Sequence, residues 1–152
     1  MYIVVDSTVW FDHISKGNPH LTRILKEDSD EELLSHATVL GELIMGNGWT
    51  NDQLQMHEIG SLPLLPELSS EDVMDFVRRN NVYGLGMGWA DARILASVAF
   101  FSEYDIRIWT RDKGFLAAAK KLGMAYDNEH TQAFNKLIQM PNKQQNRQRK
   151  KL

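Results

Sequence analysis

The segment that decides the fold lies at the amino terminus and reads Tyr2-Ile3-Val4-Val5-Asp6-Ser7-Thr8. A short β-branched run that ends at an acid is typical of a buried parallel strand, and Ser7 or Thr8 can cap a helix that follows. In parallel sheets, ligands collect at the carboxyl ends of the strands. The segment therefore predicts a core strand that places the Asp6 carboxylate at the functional edge of a sheet.

A second strand of the same kind is Ile106–Trp109, which is followed directly by Thr110, Arg111 and Asp112. Weaker strands are predicted at 33–35, 62–66 and 124–126, and the acidic run 27–32 is predicted to be a surface loop. Apolar spacing, caps and glycine stops predict helices after Ser7, from Asn18-Pro19 to 25, at 39–46 and 51–59, from 69, and at 89–101 and 115–122. This alternation predicts a three-layer α/β fold, with a short, mostly parallel sheet flanked by helices.

The composition is that of one ordinary globular domain, with 152 residues of which 43% are hydrophobic and 24% charged. No apolar run reaches membrane-spanning length, and the amino terminus lacks the features of a secretory signal. We therefore expect a cytoplasmic protein without membrane contact. The absence of cysteine excludes disulfide bonds, thiolate zinc sites and cysteine nucleophiles.

The last ten residues carry five cations and no acid, although the formal net charge of the whole chain is −3. Clustered cations can bind a polyanion through counterion release, but polar termini are also commonly solvated and disordered. We expect a single domain over residues 1–140 and a basic, flexible tail over 141–152.

Four acids stand where an ionised side chain needs compensation: Asp6 after an apolar strand, Glu42 beside the apolar face of its helix, Asp91 in a first helical turn, and Asp112 after a strand. Each also has an ordinary explanation. Asp6 or Asp112 can cap a helix, Glu42 can extend towards water, and Asp91 can complement a helix dipole. Together, however, they would crowd like charges at one edge of the sheet, which raises their pKa values and opposes folding.

A hard divalent cation would resolve this conflict. Oxygen ligands without cysteine or paired histidine favour Mg²⁺ or Mn²⁺ over zinc. The five histidines lack His-Glu-x-x-His spacing, and we interpret them as ordinary surface or core residues. The glycine-rich segment 84–88 lacks a Walker lysine and is interpreted as a tight turn into a helix.

Each of the four acids lies in a longer motif, and the motifs are IVVDSTVW at 3–10, LGELIMG at 40–46, GMGWADARILAS at 86–97 and WTRDK at 109–113. In this order they resemble the four acidic motifs of PIN-domain proteins, and most closely those of VapC toxins. The resemblance extends over about residues 2–126. Four motifs in the right order are far more specific than any one of them.

This resemblance implies a PIN-like fold and a Mg²⁺-dependent endoribonuclease, the toxin of a type II toxin–antitoxin pair that is often homodimeric and is inhibited by a small antitoxin. By position, Asp6 and Asp91 would be the principal metal ligands, and Glu42 and Asp112 would complete the site directly or through water. One ion would activate water for in-line attack on an RNA phosphodiester, and a second, where present, would stabilise the leaving oxygen about 4 Å away.

Further site residues are predicted around these acids. Hydroxyls beside the ligands would come from Ser7 and Thr110, and RNA phosphates would be contacted by Arg93, Arg111 or Lys113, although such cations are often only solvent-exposed helix residues. The chain departs from the family pattern at Gly114, where many relatives have another acid. Any acidic contribution from that position is therefore in question.

Two other functions compete with a nuclease. A haloacid-dehalogenase-like phosphatase needs Asp-x-Asp at the first strand, whereas the second residue after Asp6 is Thr8. The alternative from a different class is a catalytically silent PIN-like module that binds RNA or a protein, with acids that only cap helices. The discriminating property is divalent dependence, because an ion that binds the native state must stabilise it.

Overall fold

The computed structural model describes residues 1–126. The predictions for the domain boundary at 140 and for the basic tail 141–152 lie outside the described residues. Within 1–126 the strands are β1 (Tyr2–Val5), β2 (Glu32–His36), β3 (Leu64–Leu65) and β4 (Ile106–Trp109). They form one sheet in the order β3-β2-β1-β4, and every pairing is parallel. The predicted α/β fold with a short parallel sheet is confirmed.

Helices connect and flank these strands. In residues 1–126 they are α1 (Ser7–Lys16), α2 (Pro19–Leu25), α3 (Ala37–Asn47), α4 (Asn51–Met56), α5 (Ser70–Arg79), α6 (Trp89–Phe100) and α7 (Lys113–Lys121), with a 3-10 turn at Ile59–Ser61. Capping side chains set several of these starts. Asn18 caps α2, and Thr50 forms a capping box with Gln53 at α4.

Several boundaries differ from the sequence predictions, including the start of β2, the start of α7 and the extent of the last predicted strand. Strand β2 begins at Glu32 because that residue continues the ladder opposite Tyr2. Helix α7 begins at Lys113, not at 115, because the Asp112 side chain accepts a hydrogen bond from the Phe115 backbone amide and starts the helix there. The predicted strand 124–126 is reduced to a single bridge between Ala125 and Ile108.

The central strand β1 is buried on both faces, which explains its uninterrupted apolar run, and Ile3, Val4 and Val5 have no exposed surface. Chain order reverses beside this strand, because β2 and β3 lie on one side of it and β4 on the other. Such a reversal opens a crevice at the carboxyl edge of the sheet, where ligands bind. Among residues 1–126, no helix combines the length and apolar character of a membrane span.

Candidate metal centre

Three of the four predicted acids meet at the carboxyl edge of the sheet. Asp6 follows β1, Glu42 lies on α3 and Asp91 lies on α6, and one carboxylate oxygen of each is within 4.8 Å of the other two. A search of residues 1–126 for clusters of His, Cys, Asp and Glu finds this group and no histidine in it. The cluster combines residues that are far apart in sequence, and we refer to it as the acidic triad.

Asp6 is held in place by threonine hydroxyls. Its side chain is 1% exposed, and its Oδ2 accepts hydrogen bonds from Thr8 Oγ1 at 2.7 Å and Thr110 Oγ1 at 2.8 Å. Asp6 occupies the N-cap position of α1, but its side chain makes no capping hydrogen bond. Its buried Oδ1 has no hydrogen-bond partner among residues 1–126. Helix capping therefore does not explain this carboxylate, and one of its oxygens is available for a ligand.

In Glu42, as in Asp6, one carboxylate oxygen is hydrogen-bonded and the other is not. Oε2 accepts a hydrogen bond of 2.9 Å from Ser7 Oγ, whereas the buried Oε1 has no partner within the described residues. Burial raises the pKa of Glu42 above its ordinary value, the Ser7 hydrogen bond opposes that rise, and the charges of Asp6 and Asp112 add to it. The carboxyl group does not extend to water as a rim glutamate would.

Asp91 is the most strongly affected member. Its pKa is raised to about 7, chiefly by burial and further by the charges of Asp6, Asp112 and Glu42, while a hydrogen bond from the Gly88 backbone acts in the opposite direction. Asp91 does lie in the first turn of α6, as expected for an acid that complements a helix dipole. Its neighbours, however, make the ionised form costly in the absence of a cation.

Asp112 borders the triad without joining it. Its Oδ1 accepts a hydrogen bond of 2.8 Å from the Phe115 amide, so the capping explanation is correct for this residue. Its charge nevertheless raises the pKa values of Glu42 and Asp91, which places it at the edge of the same site. A role as a metal ligand stays a prediction for Asp112.

Both predicted hydroxyls contact the triad, and sequence reasoning missed a third one, that of Thr8. Thr8 Oγ1 donates to Asp6 and accepts a hydrogen bond of 3.1 Å from the Arg111 amide, which ties the end of β1 to the loop after β4. Thr110 Oγ1 similarly accepts from the Asp112 amide at 3.1 Å. An Asp-x-Thr spacing, which lets a hydroxyl fold back on the acid two residues before it, was the available signal.

The three predicted RNA-contacting cations differ in how far they are already paired. Arg93 forms an ion pair with Glu67 at 2.5 Å, and Arg111 forms one with Asp12. Arg111 forms no ion pair with its neighbour in the sequence, Asp112. Lys113 is exposed at the start of α7 and makes no ion pair with another described residue.

The triad fits a hard divalent cation. No Lys, Arg or His within residues 1–126 forms an ion pair with any of its three members. Two buried carboxylate oxygens, Asp6 Oδ1 and Glu42 Oε1, have no hydrogen-bond partner there. Carboxylate oxygens are the preferred ligands of Mg²⁺ and Mn²⁺. The arrangement is thus an oxygen-only ligand set whose negative charge the described protein does not neutralise.

The departure from the family pattern at Gly114 has a steric reason. A Cβ atom at this position would lie 2.3 Å from Gly86 C and 2.4 Å from Gly86 O. The start of α7 therefore packs backbone against backbone on the 84–88 turn, which leads into α6 and Asp91. No side chain, acidic or otherwise, fits at 114 without displacing that turn.

Comparison with known proteins agrees with this geometry. The chain is 32% identical over 127 residues to Ribonuclease VapC32 from two strains of Mycobacterium tuberculosis, and the match covers 84% of this chain and 98% of those relatives. The chain belongs to the VapC family. This confirms the resemblance seen in the four motifs, and the matched length corresponds to nearly the whole of the VapC relatives.

A solved structure has the same fold. A chain in the structure of VapBC-1 from nontypeable Haemophilus influenzae superposes with a TM-score of 0.54 at 12% sequence identity, covering 82% of this chain and 95% of that one. At this identity the likeness establishes the fold alone. No protein-family profile matches the sequence.

Proposed function

We propose that this chain is a Mg²⁺- or Mn²⁺-dependent endoribonuclease that hydrolyses RNA phosphodiester bonds as the toxin of a type II toxin–antitoxin pair. The observation that carries the proposal is the acidic triad, in which three carboxylates from three elements converge without a compensating cation among residues 1–126. Membership of a family whose matched relatives are named ribonucleases supports the reaction class.

In this proposal Asp6, Glu42 and Asp91 hold the cation, and Asp112 reaches it through water. When bound, a divalent cation supplies Lewis acidity that lowers the pKa of water and offsets charge on the phosphate. The partnerless oxygens of Asp6 and Glu42 are the ones available for it, because their second oxygens are already hydrogen-bonded by Thr and Ser hydroxyls.

The remaining residues position the ligands and the RNA. Thr8 and Thr110 fix the Asp6 carboxylate from two sides, so it needs little rearrangement when RNA binds. Lys113 is free to contact a phosphate oxygen at the start of α7. Arg93 and Arg111 can do so only by exchanging Glu67 and Asp12 for phosphate, because both are already in ion pairs.

Partners follow from the same family membership. We expect a structured RNA as substrate, a small cognate antitoxin that inhibits the enzyme, a homodimer as the working form and a cytoplasmic location. The name of the structural neighbour, VapBC-1, is that of a toxin–antitoxin complex.

The decisive experiment maps cleaved ends in cellular RNA after incubation with purified protein. The wild-type chain should cut in Mg²⁺ and stop in EDTA, and Asp91→Asn should fold but not cut. A matched control is Asp72→Asn, because Asp72 occupies the same third position of α5 as Asp91 does of α6 and is exposed. If only helix-dipole compensation mattered, the two variants would behave alike. If EDTA changed neither cleavage nor thermal stability, a catalytically silent binding module would be the better description.

A further inference from the structure

An apolar groove lies between α5 and the amino-terminal end of α6, the helix that carries Asp91. Its volume is about 330 Å³, and its lining includes Met74, Tyr83, Met87, Gly88 and Trp89. We call it the Tyr83–Trp89 groove. The rings on its rim are exposed, by 63% for Tyr83 and 47% for Trp89.

Trp89 differs from the other three tryptophans of the chain. Trp10, Trp49 and Trp109 each make a ring contact with a histidine, whereas Trp89 contacts no other aromatic ring within residues 1–126. It also lies at the first position of α6, and so is two residues before Asp91. An aromatic face is therefore open at the amino-terminal end of the helix that carries Asp91.

The groove is continuous with the triad through Gly88. This residue lines the groove and also hydrogen-bonds the Asp91 carboxyl group through its backbone. A methyl group built on Gly88 would lie 3.8 Å from Asp91 Oδ2, so this one residue touches both the groove and the Asp91 carboxyl group. Arg78 supplies a cation at the rim, with a side chain that is 71% exposed and paired with Asp75. Apolar faces, exposed rings and one cation fit a nucleotide better than they fit a purely apolar peptide.

We infer that the Tyr83–Trp89 groove holds a nucleobase of the RNA substrate, stacked on Trp89, next to the phosphate at the metal centre. The inference rests on the proposed ribonuclease function and extends it, because it assigns a substrate-positioning surface outside the acidic residues. Stacking is tolerant of base identity, since every base has a π-face. The groove would therefore contribute to the affinity for RNA and only little to the preference for a particular base.

The test measures RNA binding and RNA cleavage separately. Binding of a fluorescein-labelled single-stranded oligoribonucleotide is measured by anisotropy in EDTA over a range of salt concentrations, and cleavage is measured in Mg²⁺. Trp89→Ala should weaken binding about tenfold, within the range that base–aromatic stacking contributes, and should lower cleavage at limiting RNA by a similar factor. Trp89→Phe should restore most of both. The salt dependence should not change, because stacking releases no counterions.

The matched control is Phe100→Ala, which removes an exposed ring at the opposite end of the same helix. It should bind and cut RNA like the wild type. Equal RNA affinity of Trp89→Ala, Phe100→Ala and the wild type would overturn the inference, and so would a failure of the wild type to bind RNA in EDTA. A Trp89→Ala variant that instead only dissociates a dimer, seen by sedimentation, would make the groove a contact between copies and would overturn it too.

Failure of the inference and failure of the proposed function give different results. If EDTA stops wild-type cleavage but Trp89→Ala changes neither RNA binding nor cleavage, the nuclease assignment is supported and the stacking site is contradicted. If the wild type cuts no RNA with any divalent cation, the nuclease assignment falls. Thermal unfolding of each variant checks that the half-exposed Trp89 is not needed for folding.

Discussion

The two halves of the acidic triad are built in different ways. The strand half is Asp6 at the end of β1, whose carboxylate is fixed by the hydroxyls of Thr8 and Thr110. The helix half consists of Glu42 on α3 and Asp91 on α6, whose pKa values are raised chiefly by burial. Hydrogen bonds thus prearrange one half, whereas the other half carries an electrostatic penalty that protonation or a bound cation removes. The comparison indicates that Asp6 is fixed by hydrogen bonds, whereas Glu42 and Asp91 are destabilised in their ionised forms by burial and by neighbouring negative charges.

The largest expected effects come from neutralising one carboxylate in each half. Asp6→Asn and Glu42→Gln should each lower RNA cleavage by more than about a hundredfold, beyond the cost of losing a single outer hydrogen bond to a ligand. Their effects on the metal-free fold should differ. Both substitutions remove a negative charge from the triad, but Glu42→Gln weakens one charge-assisted hydrogen bond and Asp6→Asn weakens two. Asp6→Asn should therefore have a free energy of unfolding about 1 kcal/mol lower than that of Glu42→Gln. Urea unfolding in EDTA measures this, and equal changes would contradict the division into two halves.

Removing a hydroxyl from the strand half should have the next largest effect. Thr110→Val leaves Asp6 with one hydroxyl donor, so we expect a 10- to 100-fold loss of cleavage, roughly the cost of losing an outer hydrogen bond to a metal ligand. Thr110→Ser should restore most of the rate. Thr38→Val is a suitable control, because Thr38 Oγ1 has no hydrogen-bond partner among residues 1–126. An equal loss in both valine variants would show that the hydroxyl itself is unimportant.

Gly114, near the start of α7, packs against Gly86 in the turn that leads into α6 and Asp91. Gly114→Ala should lower the free energy of unfolding by about 1–3 kcal/mol, the usual cost of overpacking a close contact. Gly41→Ala is the control, because a Cβ at Gly41 meets no atom within 4 Å and alanine is the better helix former. Urea denaturation compares the two. A Gly114→Ala variant as stable as Gly41→Ala would mean that the 84–88 turn adjusts without cost.

The smallest effect is on the pH dependence of stability. An acid whose pKa is higher in the folded state than in the unfolded state loses stability as pH rises between the two values. For Asp91 this window runs from about 4 to about 7. In EDTA the melting temperature should therefore fall as pH rises across it, by the equivalent of about 1 kcal/mol or less because the group is only half-buried. Mg²⁺ should offset the decrease at about pH 8, and Asp91→Asn should flatten the profile. A flat wild-type profile in EDTA would contradict the penalty assigned to the helix half.

Much of the fold and part of the site could be predicted from the sequence. Strands Tyr2–Val5 and Ile106–Trp109 were predicted at their observed bounds because a buried parallel strand is a continuous apolar run. Asp6 and Asp112 were placed at the correct edge because both follow these strands. Strand β3 was harder to delimit, since its two residues lie in a proline-containing extended segment with little pattern of its own.

The site contacts that were missed are of two kinds. Arg111 was predicted as an RNA contact, but its ion pair joins it to Asp12, which is 99 residues earlier in the chain. The Thr8 hydroxyl contacts Asp6 only two residues away, but that it lies on the same carboxylate oxygen as Thr110, 104 residues from Asp6, depends on the fold. Neither helical nor strand periodicity encodes such partners.

The sequence by itself determined the parallel α/β architecture, the four acidic motifs and the family, because apolar periodicity and motif order are local properties of the chain. Only the tertiary structure decided which acids converge, which caps a helix, and which oxygens lack a partner. It also decided that Gly114 must lack a side chain and that the Trp89 ring is exposed at the start of the helix that carries Asp91. These features arise from the close approach of segments distant in the chain, where distances of a few ångströms determine charge, burial and access.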